Sequence, residues 1–122
     1  MLHFIVEHFG CGLNEAVLRQ RLLIAIMEED LNRRLKLPQV VRKGSDLYDG
    51  KYKLTVSIAS VSPVSALIHA GINISSRNTP VPTRGLGDYS IEPREFAKTI
   101  LTSYAAECEG VRRARCKVRG CE

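Results

Sequence analysis

The stretch KGSDLYDGKYKLTVSIASVSPVSALIHAGINI, residues 43–74, holds two runs of alternating side chains joined by a Ser-Pro turn near Pro63. In residues 52–59, Tyr52, Leu54, Val56 and Ile58 fall on one face of an extended chain and Lys53, Thr55 and Ser57 on the other. In residues 65–74, Ala66, Ile68, Ala70, Ile72 and Ile74 alternate with Leu67, His69, Gly71 and Asn73. Successive side chains of a strand point to opposite faces, so the pattern predicts an antiparallel hairpin with a core-facing apolar side. Upstream, residues 46–50 carry Asp, Tyr, Asp and Gly and read as a turn, preceded by a short extended piece at residues 39–42.

Working outward, residues 2–9 are rich in Phe, Ile and Val and read as a strand that Gly10 and Gly12 end. From residue 13 to 35 the apolar positions Leu13, Val17, Ile24, Met27, Leu31 and Leu35 recur at helical period, widened by Leu18, Leu22 and Ala25. Asn14 is the expected amino-terminal cap, Arg33, Arg34 and Lys36 suit the negative end of the helix dipole, and Pro38 stops the helix. Residues 75–88 form a proline- and glycine-bearing loop of about 14 residues, long enough to take part in binding. Residues 93–108 carry Phe96, Ala97, Ile100, Leu101, Tyr104 and Cys108 on one helical stripe, which Gly110 is expected to end. Residues 111–120 then read as a strand with Arg113, Arg115, Lys117 and Arg119 on one face and Ala114, Cys116 and Val118 on the other. The element order predicts an α+β fold, a mainly antiparallel sheet backed by two main helices, in a single domain over residues 1–122.

Composition narrows the function classes. Of 122 residues, 44% are hydrophobic and 25% charged, which excludes collagen, disorder and a mucin-like stalk. The longest apolar run, LLIAIM at residues 22–27, falls far short of the roughly 18 residues that a membrane-spanning helix needs. With no basic flank or small-residue cleavage site at the amino end, a cytoplasmic protein without a membrane role is expected. Cys11, Cys108, Cys116 and Cys121 lack zinc-knuckle spacing and are expected to be reduced, and His3 and His8 fall on opposite strand faces, so no metal site is expected. The net charge of +5 is concentrated at the end, where residues 111–122 carry five basic groups and one acidic.

The segment from residue 43 resembles the core signature of biotin protein ligases, a Lys-Trp-Pro-Asn-Asp-Leu-Tyr stretch followed, seven residues after its Asp, by Lys-Leu on the next strand. Asp46, Leu47 and Tyr48 are followed by Lys53 and Leu54 at that separation. LIHAGINI, residues 67–74, is similar to the Gly-Ile-Asn end of the following strand in those ligases. The resemblance covers residues 2–75. Over the whole chain, MLHFIVEHF, LRQRLL, GSDLY, KLTVSIA, SALIHAGINIS and the final KVR resemble an uncharacterised prokaryotic family, domain of unknown function 366. Both imply the biotin/lipoate ligase or class II aminoacyl-tRNA synthetase-like fold. The second implies relatives longer at the amino end, so that this chain is expected to lack an upstream strand and loop.

Ligases of this type join a small carboxylate to ATP, with magnesium, through an acyl-adenylate. The resemblance implies Lys53 as the group that neutralises carboxylate and α-phosphate, and Asp46 as a residue that helps hold a hard cation or a substrate donor. Lys43, Ser45, Tyr48, His69, Gly71 and Asn73 are the implied ligand-binding set: Gly71 lets backbone approach a nucleotide, and Asn73 offers a donor and an acceptor. Ser45 stands where the ligase signature has its metal-side amide, and the Gly- and Arg-rich ligand loop is expected to be missing. The alternative is a non-catalytic module whose tail face, Arg113, Arg115, Lys117 and Arg119, contacts RNA or another polyanion. Self-association that buries a sheet edge is a third expectation, making a homo-oligomer.

Overall fold

The computed structural model describes residues 1–75 and 81–118. The elements run β1 (Leu2–Phe9), α1 (Leu13–Leu35), β2 (Val41–Lys43), β3 (Asp46–Asp49), β4 (Tyr52–Lys53), β5 (Thr55–Val61), β6 (Ser65–Ile72), a 3-10 turn at Leu86–Tyr89 and α2 (Pro93–Val118). Strands β1, β6 and β5 form one antiparallel sheet in that order, and β2, β3 and β4 a second, smaller one. His3 lies opposite Gly71 across the β1–β6 pair, and Val56 opposite Gly71 across β5–β6.

Both helices pack on one face of the larger sheet. The core joins Phe4, Ile68, Ala70 and Ile72 of the sheet to Leu23, Ile24, Met27 and Leu31 of α1 and Phe96, Ile100 and Tyr104 of α2. Phe4 meets Phe96 edge-on, with ring centroids 6.5 Å apart, an arrangement that the aromatic quadrupoles favour. Each such side chain, fully buried, contributes about 1.5–3 kcal/mol. Asn32 of α1 fixes the start of the small sheet: its Nδ2 donates to Val40 O at 2.9 Å, and its Oδ1 accepts from Val40 N at 2.8 Å. The expected hairpin, the first strand and the long first helix are all present.

Four expectations are corrected. Asn14 does not cap α1; Gly12 occupies the cap position, without a side-chain hydrogen bond. Residues 46–50 are not a turn but include strand β3, because the left-handed turns lie on either side of it, at Gly44 (φ 63) and Gly50 (φ 60). The expected strand over residues 52–59 is broken at Leu54, whose N–H donates to Leu47 O of β3 while its carbonyl accepts from Asn73 N, both at 2.9 Å. Leu54 and Thr55 are therefore buried in succession, which reverses the faces: Thr55 is buried, and Val56 and Ile58 are exposed.

The fourth concerns the carboxyl end. Helix α2 runs through Gly110 to Val118, so residues 111–118 are helical, not a strand. Glycine inside a helix costs only about 1 kcal/mol relative to alanine, and Glu109 grips the next turn through Arg112 at 2.6 Å and Arg113 at 3.6 Å. At about 100° per residue, Arg113 and Lys117 share a helix face and Arg115 turns away from it, so the expected single basic face is not formed. Arg119 and Cys121 lie outside the described residues. Among the described residues, Cys11, Cys108 and Cys116 are free thiols, and no helix is long and apolar enough to cross a membrane.

Two glycine substitutions test this architecture by urea denaturation. A Cβ on Gly110 meets nothing within 4 Å, so Gly110→Ala should stabilise by about 0.5–1 kcal/mol; destabilisation would mean that the helix ends there. A Cβ on Gly85 would sit 2.6 Å from Asn73 O, so Gly85→Ala should destabilise by about 1–3 kcal/mol.

Candidate functional site

The break at Leu54 sets Lys53 at the junction of the two sheets. Lys53 N–H donates to Pro82 O at 3.1 Å, and its carbonyl accepts from Arg84 N at 3.2 Å, so residues 82–84 lie along β4 as an added, parallel piece. Asn73 Nδ2 donates to Lys53 O at 3.3 Å and Arg84 O at 3.2 Å. The amide group expected to face a ligand is thus a brace between two backbone segments.

Lys53 Nζ lies 3.6 Å from Asp46 Oδ2, with about a third of the lysine side chain exposed. That is longer than the 2.7–2.9 Å of a charge-assisted hydrogen bond, so the ammonium is attracted but not clamped. Asp46 is better fixed, because Thr55 Oγ1 donates to its Oδ1 at 2.7 Å. Thr55 Oγ1 also accepts from Leu47 N at 3.0 Å, tying β5 to β3. Both carboxylate oxygens of Asp46 are engaged, and Ser45 Oγ faces Arg21 Nε at 3.4 Å. A cation is a poor neighbour for that set, and as arranged it does not fit a magnesium ion of its own.

Beside this pair stands a second polar group that sequence reasoning missed. Asp49 Oδ2 accepts from Tyr89 Oη at 2.6 Å, Gln39 Nε2 at 2.7 Å and Arg84 Nη1 at 3.0 Å. Arg84 also stacks over the Tyr52 ring at 4.2 Å. Burial pushes the Asp49 carboxyl up, but the Tyr89 and Gln39 hydrogen bonds and the Arg84 charge outweigh it and hold its pKa below the ordinary value. Burial first, then Asp49, pushes the Tyr89 phenol up.

Among the described residues, no helix covers the other face of the large sheet. His3, Ile5 and Phe9 of β1, Val56 and Ile58 of β5, and Leu67 and His69 of β6 are exposed on it. Ile5 is 73% exposed, Phe9 75% and Ile58 64%, so this is an apolar surface left open to water. A shallow cavity of about 160 Å³ is lined by His3, Val56, Ile58, His69 and Gly71, among others. Of the expected ligand-binding residues, His69 and Gly71 lie here. Lys43 stacks over the Tyr48 ring at 5.5 Å, and Tyr48 pairs with Lys53 across β3–β4. His8 faces the helices, opposite to His3 as the alternation requires. Arg19 Nη1 donates to His8 Nδ1 at 3.0 Å, which leaves the proton on Nε2 for Tyr104 Oη at 2.7 Å. Burial and the Arg19 charge lower the His8 pKa.

Residues 1–119 match the family model described as Domain of unknown function (DUF366). The chain belongs to the DUF366 family. This DUF366 chain is 39% identical over 118 residues to an uncharacterised protein of Methanocaldococcus jannaschii, with 92% of this chain and 51% of that protein covered. It thus spans about half the length of the curated relative that it matches. A protein of unknown function from Pyrococcus horikoshi has a similar structure, at TM-score 0.86 and 36% identity, covering 95% of this chain and 62% of that one. A mutant biotin protein ligase from Aquifex aeolicus in complex with biotin gives TM-score 0.72 at 15% identity, covering 88% of this chain and 49% of that one. A lipoate-protein ligase A bound with ATP gives 0.65 at 12%, covering 88% and 51%. The DUF366 chain therefore has the biotin and lipoate ligase fold.

The Asp49 group carries a pH signature. A carboxylate held below its ordinary 3.8 stabilises the fold fully above that value, and the contribution is lost as pH falls through the lower folded pKa. In urea unfolding from pH 6 downward, the stability gap between wild type and Asp49→Asn should narrow once the pH passes below about 4. A gap independent of pH would show that the Asp49 charge contributes nothing.

Proposed function

We propose that the open sheet face and the Asp46–Lys53 pair belong to a site that takes a small carboxylate and a nucleotide, for adenylate-forming chemistry. One observation supports this most: a part-exposed lysine ammonium, loosely held 3.6 Å from a carboxylate that a neighbouring threonine keeps in place. A substrate carboxylate would meet the Lys53 ammonium beside Asp46. In the reaction a carboxylate oxygen attacks the α-phosphorus, the new acyl–phosphate bond forms, and pyrophosphate leaves. A lysine point charge beside both reactants offsets the charge that gathers on the phosphoryl oxygens. The exposed Ile5, Val56 and Ile58 suit an apolar tail on the acid. Magnesium is expected to arrive on the nucleotide phosphates, since Asp46 and Ser45 do not form a cation site. Lys43, Tyr48, His69 and Gly71 remain contact residues of this reading, and Asn73 supports it through the Lys53 backbone.

A second reading rests on the same apolar face, which a second copy of the chain would also cover. A concentration-dependent dimer in sedimentation velocity would favour it, and a monomer throughout would leave the face to a ligand. The polyanion alternative is weakened by the splitting of its basic face in α2.

The test is a thermal-shift titration with ATP and magnesium, alone and with octanoate, lipoate or biotin, on wild type and Lys53→Ala. Ligand bound only to the native state at roughly 100 times Kd adds about 2.7 kcal/mol. Stabilisation of the wild type should be lost in Lys53→Ala, while the unliganded melting temperature barely changes. Equal stabilisation of both proteins would remove Lys53 from the site.

A further inference from the structure

The exposed histidines of the open face are not isolated. His3 pairs in register with Gly71, and His69 with Ile5, so the two rings are diagonal neighbours across β1 and β6. They lean together until His3 Nδ1 and His69 Nε2 are 2.9 Å apart, with the rings tilted by 50°. Gly71 leaves the space between β1 and β5 open. Met1 Sδ and His3 Nδ1 lie only 2.5 Å and 3.3 Å from the point where a Cβ on Gly71 would be. A thioether and the His3 nitrogen thus gather over one bare backbone position, the His69 nitrogen lies 2.9 Å from that of His3, and both rings line the cavity shared with Val56 and Ile58.

We propose that His3 and His69 form a two-nitrogen site for a divalent transition-metal ion such as Zn²⁺ or Cu²⁺, with Met1 Sδ as a third, softer donor. At metal–nitrogen distances of about 2.0–2.1 Å, two ligands at a right angle are about 2.9 Å apart, and two at the tetrahedral angle about 3.3–3.4 Å. The observed spacing meets the first case and reaches the second with a few tenths of an ångström of ring movement. Without metal, one ring N–H donates to the bare nitrogen of the other. On binding, that ring shifts its proton to its far nitrogen, and both facing lone pairs turn to the metal. The residues that line the cavity include no carboxylate, so the donor set selects imidazole-seeking metals over magnesium or calcium. Solvent fills the remaining positions. The site shares His69 and Gly71 with the adenylation reading but uses neither Lys53 nor Asp46, so Lys53→Ala should leave metal binding unchanged.

The test is a Zn²⁺ titration of the reduced, isotope-labelled protein, followed by NMR of the histidine ring nitrogens and methionine methyls. Three internal controls exist. His8 is engaged with Arg19 and Tyr104, Met27 is fully buried, and signals of residues beside the cysteines report metal taken by thiols. The expected result is that the His3 and His69 rings and the Met1 methyl move together and saturate at one equivalent, while His8 and Met27 stay still. Affinity should fall at least tenfold in His69→Gln and in His3→Gln, whose exposed positions leave the unliganded melting temperature unchanged. Zn²⁺ that moves only residues beside cysteines, or that binds His69→Gln as tightly as wild type, overturns the proposal.

Discussion

Strand β5 is mounted with its polar side inward, and much of the molecule depends on what holds it there. Thr55 and Ser57 face the helices, while Val56 and Ile58 face water. Apolar burial alone would choose the opposite orientation. Hydrogen bonds decide otherwise: Gln20 of α1 donates to Ser57 Oγ at 2.7 Å, Ser57 Oγ donates to Ser45 O at 2.6 Å, and Thr55 bonds both Asp46 and the Leu47 backbone. Buried polar groups left without partners cost about 1–3 kcal/mol each, so these contacts fix the strand's phase. The same contacts bring Asp46 to Lys53 and leave an apolar surface facing outward.

The first strand and first helix were legible because each repeats its pattern over several turns or pleats. The reversal in β5 was not, since Leu54 belongs to neither sheet's alternation and bonds to both Leu47 and Asn73. Strand β3 was obscured by its own brevity: four residues between two left-handed glycines look like the turn they separate. At the carboxyl end, alternation of Arg and Lys imitated a strand, and only the Glu109 pairings reveal the helix. In the candidate site, Asp46 and Lys53 meet at 3.6 Å through the short β3–β4 pairing, which the sequence spacing alone does not specify. The Asp49 group was not legible, because Arg84 and Tyr89 are 35 and 40 residues away along the chain. His3 and His69, 66 residues apart, needed the β1–β6 register to meet.

The likeness to biotin and lipoate ligases extends over most of this chain but only about half of each ligase. What is shared is the fold, which in this chain sets both helices on one face of the large sheet. In this DUF366 member the uncovered face carries two histidines and a methionine beside the apolar residues, a chemistry distinct from a plain hydrocarbon floor.

The inverted β5 also shapes the energy landscape on which the chain folds. A one-residue slip of its pairing with β6 would turn Val56 and Ile58 toward the helices, which collapse alone would reward, and the hydrophobic drive would then favour a wrong register. Native pairing becomes the better state only after α1 and β3 have arrived to meet Ser57 and Thr55. The strand is thus a point of local frustration, where hydrophobic burial and the native hydrogen bonds favour opposite faces.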